Sequence, residues 1–373
     1  MKIRKSGARY SAIVGIGEQL AKKEKETGQE YLFLNRGVNN VVKIDLSEVT
    51  REIDYNTAEM QFYAPNNGRN SLKDAINYEF FDNKTQADNI LITAGGMNAL
   101  NMLFSSLDVE KFYSHSMYWG AYTNIMRIIK KDQDFYNNYE DLLVNPAKYS
   151  GCAVIICDPN NPIGNKYSDD KLIEIVSVLT ENNATVIWDG PYRRLFLDRT
   201  DNLYTRLLKF KNLVIAESFS KCLGISGQRL GFIHTDNAEL KEELAINLLY
   251  FNNGVNSFSQ ILAEKLITTE QGKKAVIKFK EKTVESISKN ISYLMENNLL
   301  AKEFYQDSDP VGIFVILNKN YEELLKFNIG SVPLNYFTKR TDIDVNKYAR
   351  ICVSVPHENF VRFFERMKQT SAS

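Results

Sequence analysis

Short apolar runs separated by amphipathic stretches mark the middle of the chain. Asn89–Thr93 (NILIT), Cys152–Cys157, Ala184–Trp188, Leu213–Ala216 and Leu230–His234 are continuous rather than alternating, and each is the length of one strand. Between them the spacing predicts a helix over Asn98–Ser106 and another over Asp169–Thr180. In the second, Leu172, Ile173, Ile175, Val176, Val178 and Leu179 follow a helical stripe behind Ser168 as N-cap. Strands that are apolar on both faces and separated by helices belong to a mostly parallel sheet covered on both sides, so the centre of the chain is α/β. Beyond it come a charged helical pattern from Lys273 to about Asn298, strands at Gly312–Leu317 and Ala349–Ser354, and a closing helix near Glu358–Met367. These predict a smaller α+β region. Pattern alone does not place residues 1–45.

Length and composition narrow the class. A chain of 373 residues suits two packed domains, and no Pro/Gly/Ser linker or internal repeat separates them. Basic and acidic residues number 46 each, so no net charge field points to nucleic acid or an anionic membrane. The four cysteines form no CxxC pair, which sets aside zinc-ribbon and thioredoxin-like sites. Cys157 ends an apolar run and is expected to be a buried thiol in a reducing cytosol. No apolar run is long enough to span a bilayer, and the basic N-terminus runs into a charged helical segment without a cleavage site, so it reads as mature protein. A cytoplasmic protein without a metal is expected.

In an α/β sheet, ligands gather at the carboxyl ends of strands, which makes the residues after each apolar run the ones to inspect. After NILIT come Ala94, Gly95, Gly96 and Met97 ahead of a helix, where backbone N–H groups can approach a phosphate. After Cys157 comes DPNNPIGN with Asn161, and after Trp188 come Asp189, Gly190, Pro191 and Tyr192. The densest signal follows Ala216: Ser218, Ser220 and Lys221, with Arg229 on the same segment. Two hydroxyls before a lysine, and an arginine after it, are hard to explain as solvated surface.

The Ser218–Gly231 segment resembles the lysine signature of class I/II aminotransferases, the pyridoxal-phosphate enzymes of fold type I, at every restricted position. FLNRG near Gly37, YAPNNGRNSLKDAI with Tyr63, and YARICVS with Arg350 resemble further blocks of that family, in the same order. The resemblance implies a large cofactor-binding domain over 46–268 and a small domain from 1–45 and 269–373. It implies that Lys221 holds pyridoxal 5'-phosphate as a Schiff base and then carries the substrate proton. Asp189 would pair with the ring nitrogen, Asn161 and Tyr192 would bond the phenolic oxygen, and Trp119 would stack on the ring. Ser218, Ser220, Arg229 and the backbone of Gly95, Gly96 and Met97 would hold the phosphate, with Tyr63 reaching the phosphate of a neighbouring subunit in a homodimer. Gly37 and Asn161 would lie on the substrate side.

Arg350 would clamp the substrate carboxylate, or face a phosphate as the resemblance to histidinol-phosphate aminotransferases implies. The partners implied are thus a small amino donor and a keto acceptor. Arg36, Arg193 and Arg194 are basic residues near these blocks that could read a second anion, although solvent-exposed faces are expected for them. His115, His234 and His357 receive no catalytic role. A decarboxylase or β-lyase on the same scaffold shares Lys221 and Asp189 and stays open, as does, more distantly, a non-catalytic protein of this fold.

Overall fold

The computed structural model describes residues 1–371. Its centre is a seven-stranded sheet made of β1 (Ile90–Thr93), β2 (Phe112–His115), β3 (Gln133–Tyr136), β4 (Ala153–Ile156), β5 (Thr185–Asp189), β6 (Leu213–Ser218) and β7 (Gly231–His234). The strand order is β1-β7-β6-β5-β4-β2-β3. Every pairing is parallel except those of β7, which runs antiparallel to both β1 and β6.

The continuous apolar runs are explained by burial on both faces. Val154, Ile156, Val186, Trp188 and Ile215 point into one cluster, which they share with Leu172, Ile175, Val176 and Leu179. Ile155, Ile187, Val214 and Ala216 point into another, with Leu100, Leu103, Leu244 and Leu248. The covering helices are α1 (Gly96–Ser106), α2 (Ala121–Ile129), α3 (Asp169–Glu181) and α4 (Ala238–Asn252). Ser168 caps α3 as expected, its hydroxyl accepting from the Lys171 N–H, and Asp169 and Asp170 in the first turn suit the helix dipole.

The strands β2 (FYSH) and β3 were not foreseen. They lie at one end of the sheet, where β3 (QDFY) is only partly covered and carries no apolar run to read. Two strands also run further than the pattern indicates: Asp189 closes β5, and Glu217 and Ser218 close β6.

Beyond α5 (Glu270–Glu296), the strands β8 (Phe314–Leu317), β9 (Val332–Pro333) and β10 (Ala349–Cys352) form a small antiparallel sheet in the order β8-β10-β9, followed by α6 (His357–Ser371). Its core joins Val315, Leu317 and Ile351 to Ile287 and Leu294 of α5 and to Phe360 and Phe364 of α6. The N-terminal segment returns here: Leu32–Phe33 pairs in parallel with Ile329–Gly330, and Leu20 packs with Val332 and Phe337. Among the described residues no helix is long and apolar enough to cross a membrane, and no group of acidic, histidine or cysteine side chains is placed to hold a metal ion. All four cysteines are free and buried.

Candidate active site

The carboxyl ends of β1, β4, β5 and β6 face one region, and β7 draws two of them together. Gly231 sits opposite both Thr93 and Ser218. A Cβ at Gly231 would collide with the Glu217 carbonyl and lie 3.1 Å from Gly95 C and Gly96 N, so only glycine lets these backbones close up. Gly95, at φ 88°, opens α1 beside Arg229: a Cβ there would be 2.7 Å from the guanidinium. Ser218 Oγ lies 3.0 Å from Ser220 Oγ and accepts from the Ser220 N–H at 3.3 Å, while Arg229 Nη1 is 3.4 Å from Ser220 Oγ. Two hydroxyls, a guanidinium and the uncapped N-terminus of α1 therefore converge, which is the donor set a phosphate needs.

Lys221 follows on the single turn Phe219–Cys222, and its amine donates to the Gly37 carbonyl. Burial holds its pKa below the usual lysine range, and Arg229, Arg36 and Arg350 push the same way. Asp189 is 4% exposed, and burial pushes its carboxyl up to about 7 against the stabilising hydrogen bond from Tyr122. The Tyr122 hydroxyl donates to Asp189 Oδ2, and its ring meets Trp119 edge-on at 5.9 Å.

Asn161 Nδ2 donates to the Tyr192 hydroxyl at 3.2 Å, and Arg350 Nη1 reaches Asn161 Oδ1 at 3.4 Å. Arg350 is 1% exposed, with its guanidinium centred 4.2 Å from the Phe314 ring and 4.7 Å from the Phe337 ring. Its Nη2 donates to the Asn35 carbonyl and its Nε has no partner; among the described residues no carboxylate pairs with it. Burial lowers its pKa to about 10. A buried, unpaired guanidinium is costly unless an anion joins it. Beside these groups a cavity of about 1010 Å³ opens past Met97, Trp119 and Arg229. A smaller one of about 320 Å³ reaches Ser220 and Lys221.

The sequence model of the family described as aminotransferase class I and II matches residues 33–367. The chain belongs to that family. The aspartate aminotransferase of Pyrococcus horikoshii is 25% identical over 236 residues, 59% of each chain, so the matched stretch spans less than two thirds of that relative. The histidinol-phosphate aminotransferase of Flavobacterium johnsoniae is 25% identical over 74% of this chain and 82% of its own. Among solved structures, the Thermus thermophilus aspartate aminotransferase with maleate superposes with a TM-score of 0.82 at 17% identity, covering 99% of this chain and 100% of the other. An aminotransferase from Mycobacterium tuberculosis gives 0.81 at 17% over the whole of both chains. At such identities the likeness shows the fold, the fold type I architecture.

In this class I and II family member the structure brings together Gly37, Gly95, Gly96, Asn161, Asp189, Tyr192, Ser218, Ser220, Lys221, Arg229 and Arg350, with Trp119 and Met97 on the cavity wall. Tyr63 is not brought to them: it is 85% exposed, beside exposed Phe62. The expectation of solvent-exposed faces fails for Arg193 and Arg194, which are 1% and 2% exposed. Arg193 is held by Asp201 at 2.7 Å and Asp169 at 2.8 Å, with its Nη1 unbonded and 3.9 Å from Asp158 Oδ1, and Arg194 is held by the carbonyls of Asp198 and Glu79. Arg36 is exposed as expected. The histidines stand elsewhere, bonded to Met117, Thr85 and Asn290. Tyr122 was missed, although it lies one helical turn after Trp119, a spacing that places both rings on one side of a helix start.

Proposed function

We propose that this protein is a pyridoxal-phosphate-dependent aminotransferase that moves an amino group from an amino acid, or amino-acid phosphate, to a keto acceptor. The observation that carries the reading is the convergence of the Lys221 amine, the Ser218–Ser220–Arg229 cradle and the buried Asp189 carboxyl at adjacent strand ends. Pyridoxal phosphate supplies an aldehyde that bonds an amine and a protonated ring that withdraws electrons from the substrate α-carbon.

The chain's residues supply the rest. Desolvation leaves the Lys221 amine ready to take and return the α-carbon proton. Asp189, oriented by Tyr122, offers its carboxylate to the ring nitrogen, whose positive charge would draw the carboxyl's pKa back down. Asn161 and Tyr192 present an amide and a hydroxyl to the phenolic oxygen, and Trp119 covers the ring face. Arg350 receives the substrate anion on its Nε and its remaining N–H groups.

The amino donor is proposed to carry a second anionic group. Arg9, Arg127 and Lys339 line the large cavity, and no Asp or Glu is among its lining residues. The relatives named for aspartate and histidinol phosphate agree with such a donor. We assign residues 46–268 to cofactor binding and 1–45 with 269–373 to a smaller domain, a division supported by the pairing of Leu32–Phe33 with Ile329–Gly330. The free buried thiols support a reducing cytosol. Exposed Phe62, Tyr63, Tyr250 and Phe251 support a homodimer in which Tyr63 completes the partner's site. Light scattering is expected to give twice the chain mass of 42.8 kDa; an active monomer removes Tyr63 from the site.

The test is the absorption spectrum of protein loaded with pyridoxal phosphate and mixed with a panel of amino donors, dianionic ones included. Conversion to bound pyridoxamine phosphate by at least one donor is expected. Release of carbon dioxide, or of pyruvate with ammonia, without a keto acceptor would instead establish lyase chemistry.

A further inference from the structure

Glu217 is a carboxyl in an apolar core. Along β6, the side chains facing the cluster beneath the site are Leu213, Ile215 and Glu217, and Glu217 is 1% exposed. Burying a carboxyl there costs stability unless its oxygens are bonded, and both are. Oε1 accepts from the backbone N–H of the next residue, Ser218, at 2.9 Å, and Oε2 accepts from the Tyr204 hydroxyl at 2.6 Å.

The pair lies directly under the other strand end. A Cβ at Gly190, the residue after Asp189, would collide with the Tyr204 hydroxyl and lie 3.0 Å from Glu217 Oε2. The Asp189–Gly190 turn therefore rests on the Glu217–Tyr204 hydrogen bond. On the opposite side of the strand, Ser218 is packed against the start of α1, where a Cβ on Gly96 would be 3.1 Å from Ser218 Cβ.

We propose that Glu217 is a positioning residue for the cofactor phosphate: through the Ser218 N–H and the Tyr204 hydroxyl it fixes the end of β6 against the Gly190 turn, so that Ser218 keeps facing the Gly95–Gly96 backbone and Ser220 stays bonded to Ser218. The inference rests on the pyridoxal-phosphate reading above. Burial pushes the carboxyl up to about 8, with Asp189 acting the same way and the Tyr204 hydroxyl, the Ser218 N–H and Arg194 opposing it. Glutamine keeps the shape, offering an oxygen to Ser218 and an N–H to the Tyr204 oxygen, since a hydroxyl can accept as well as donate.

The experiment compares pyridoxal phosphate with pyridoxal, which has the same ring and aldehyde but no phosphate, by spectral titration of the cofactor-free protein. Glu217→Ala is expected to raise the Kd for pyridoxal phosphate about tenfold, as loss of a buried hydrogen-bond partner would, and that for pyridoxal, which feels only the slackened Asp189–Gly190 turn, by about threefold or less. The thermal shift given by inorganic phosphate should fall in parallel, and Glu217→Gln should restore both. Equal weakening of the two ligands, or no weakening, overturns the inference.

Should Glu217→Ala fail to fold, Tyr204→Phe removes one hydroxyl and carries the same test. A phosphate-selective loss of about threefold or more supports the proposal, and any other result overturns it. Failure of the unaltered protein to bind pyridoxal phosphate would sink the cofactor reading instead, which keeps the two failures apart.

Discussion

Lys221→Ala is expected to lower amino transfer by ~10³-fold or more, because in the proposed reaction one amine is both covalent anchor and proton carrier. The visible absorption that depends on the lysine should vanish with it. Lys221→Arg should be equally inactive: a guanidinium keeps the positive charge but does not give up its proton at working pH. The loss in Lys221→Ala cannot be put down to unfolding. The folded state holds the Lys221 pKa below its unfolded value, so the ammonium form is disfavoured by folding and stability from this group is gained as pH rises. Replacing the amine by a methyl group relieves that burden at neutral pH, and the melting temperature of Lys221→Ala is expected to hold or rise, whereas Lys221→Arg still buries a cation. Activity of Lys221→Arg within about tenfold of the unaltered protein would show that charge, not amine chemistry, is what the position supplies.

Arg350→Ala is expected to cost ~10²–10⁴-fold in kcat/KM, the worth of two charge-assisted hydrogen bonds at roughly 1.5–3 kcal/mol each. Arg350→Lys should recover little. Lysine keeps the charge but loses the planar fork and the stacking between Phe314 and Phe337 that aims it. Donors tested with and without the α-carboxylate separate binding from general damage. The unaltered protein should discriminate strongly between them, and Arg350→Ala hardly at all. Undiminished discrimination in the variant would move the anion site elsewhere, with Arg9, Arg127 and Lys339 the next cations to replace.

What could be read from the chain was whatever is local. The lysine segment carries Ser218, Ser220, Lys221 and Arg229 within one strand–turn–strand passage, and each apolar run meant a strand because burial on both faces leaves nothing polar to alternate. Tyr122 escaped because its partner Asp189 is distant in sequence and nothing near either residue announces the other. Arg193 and Arg194 were misplaced for a related reason: a charged side chain reads as surface until its partners are known, and Asp169, Asp201 and the Glu79 carbonyl come from other elements. The strand β3 shows the limit from the other side, since a strand at a sheet edge needs few apolar positions and leaves little trace.

The antiparallel strand β7 also sets an order of events during synthesis. The glycine turn after β1 and the serines after β6 lie far apart in the chain and become neighbours only when Gly231 slots between Thr93 and Ser218. A ribosome-bound chain that has not yet released β7 holds the lysine and both serines but has no cradle to close around an anion. Long-range pairing of this kind is slow to form, so capture of the proposed cofactor would report that the central sheet is complete rather than help to build it.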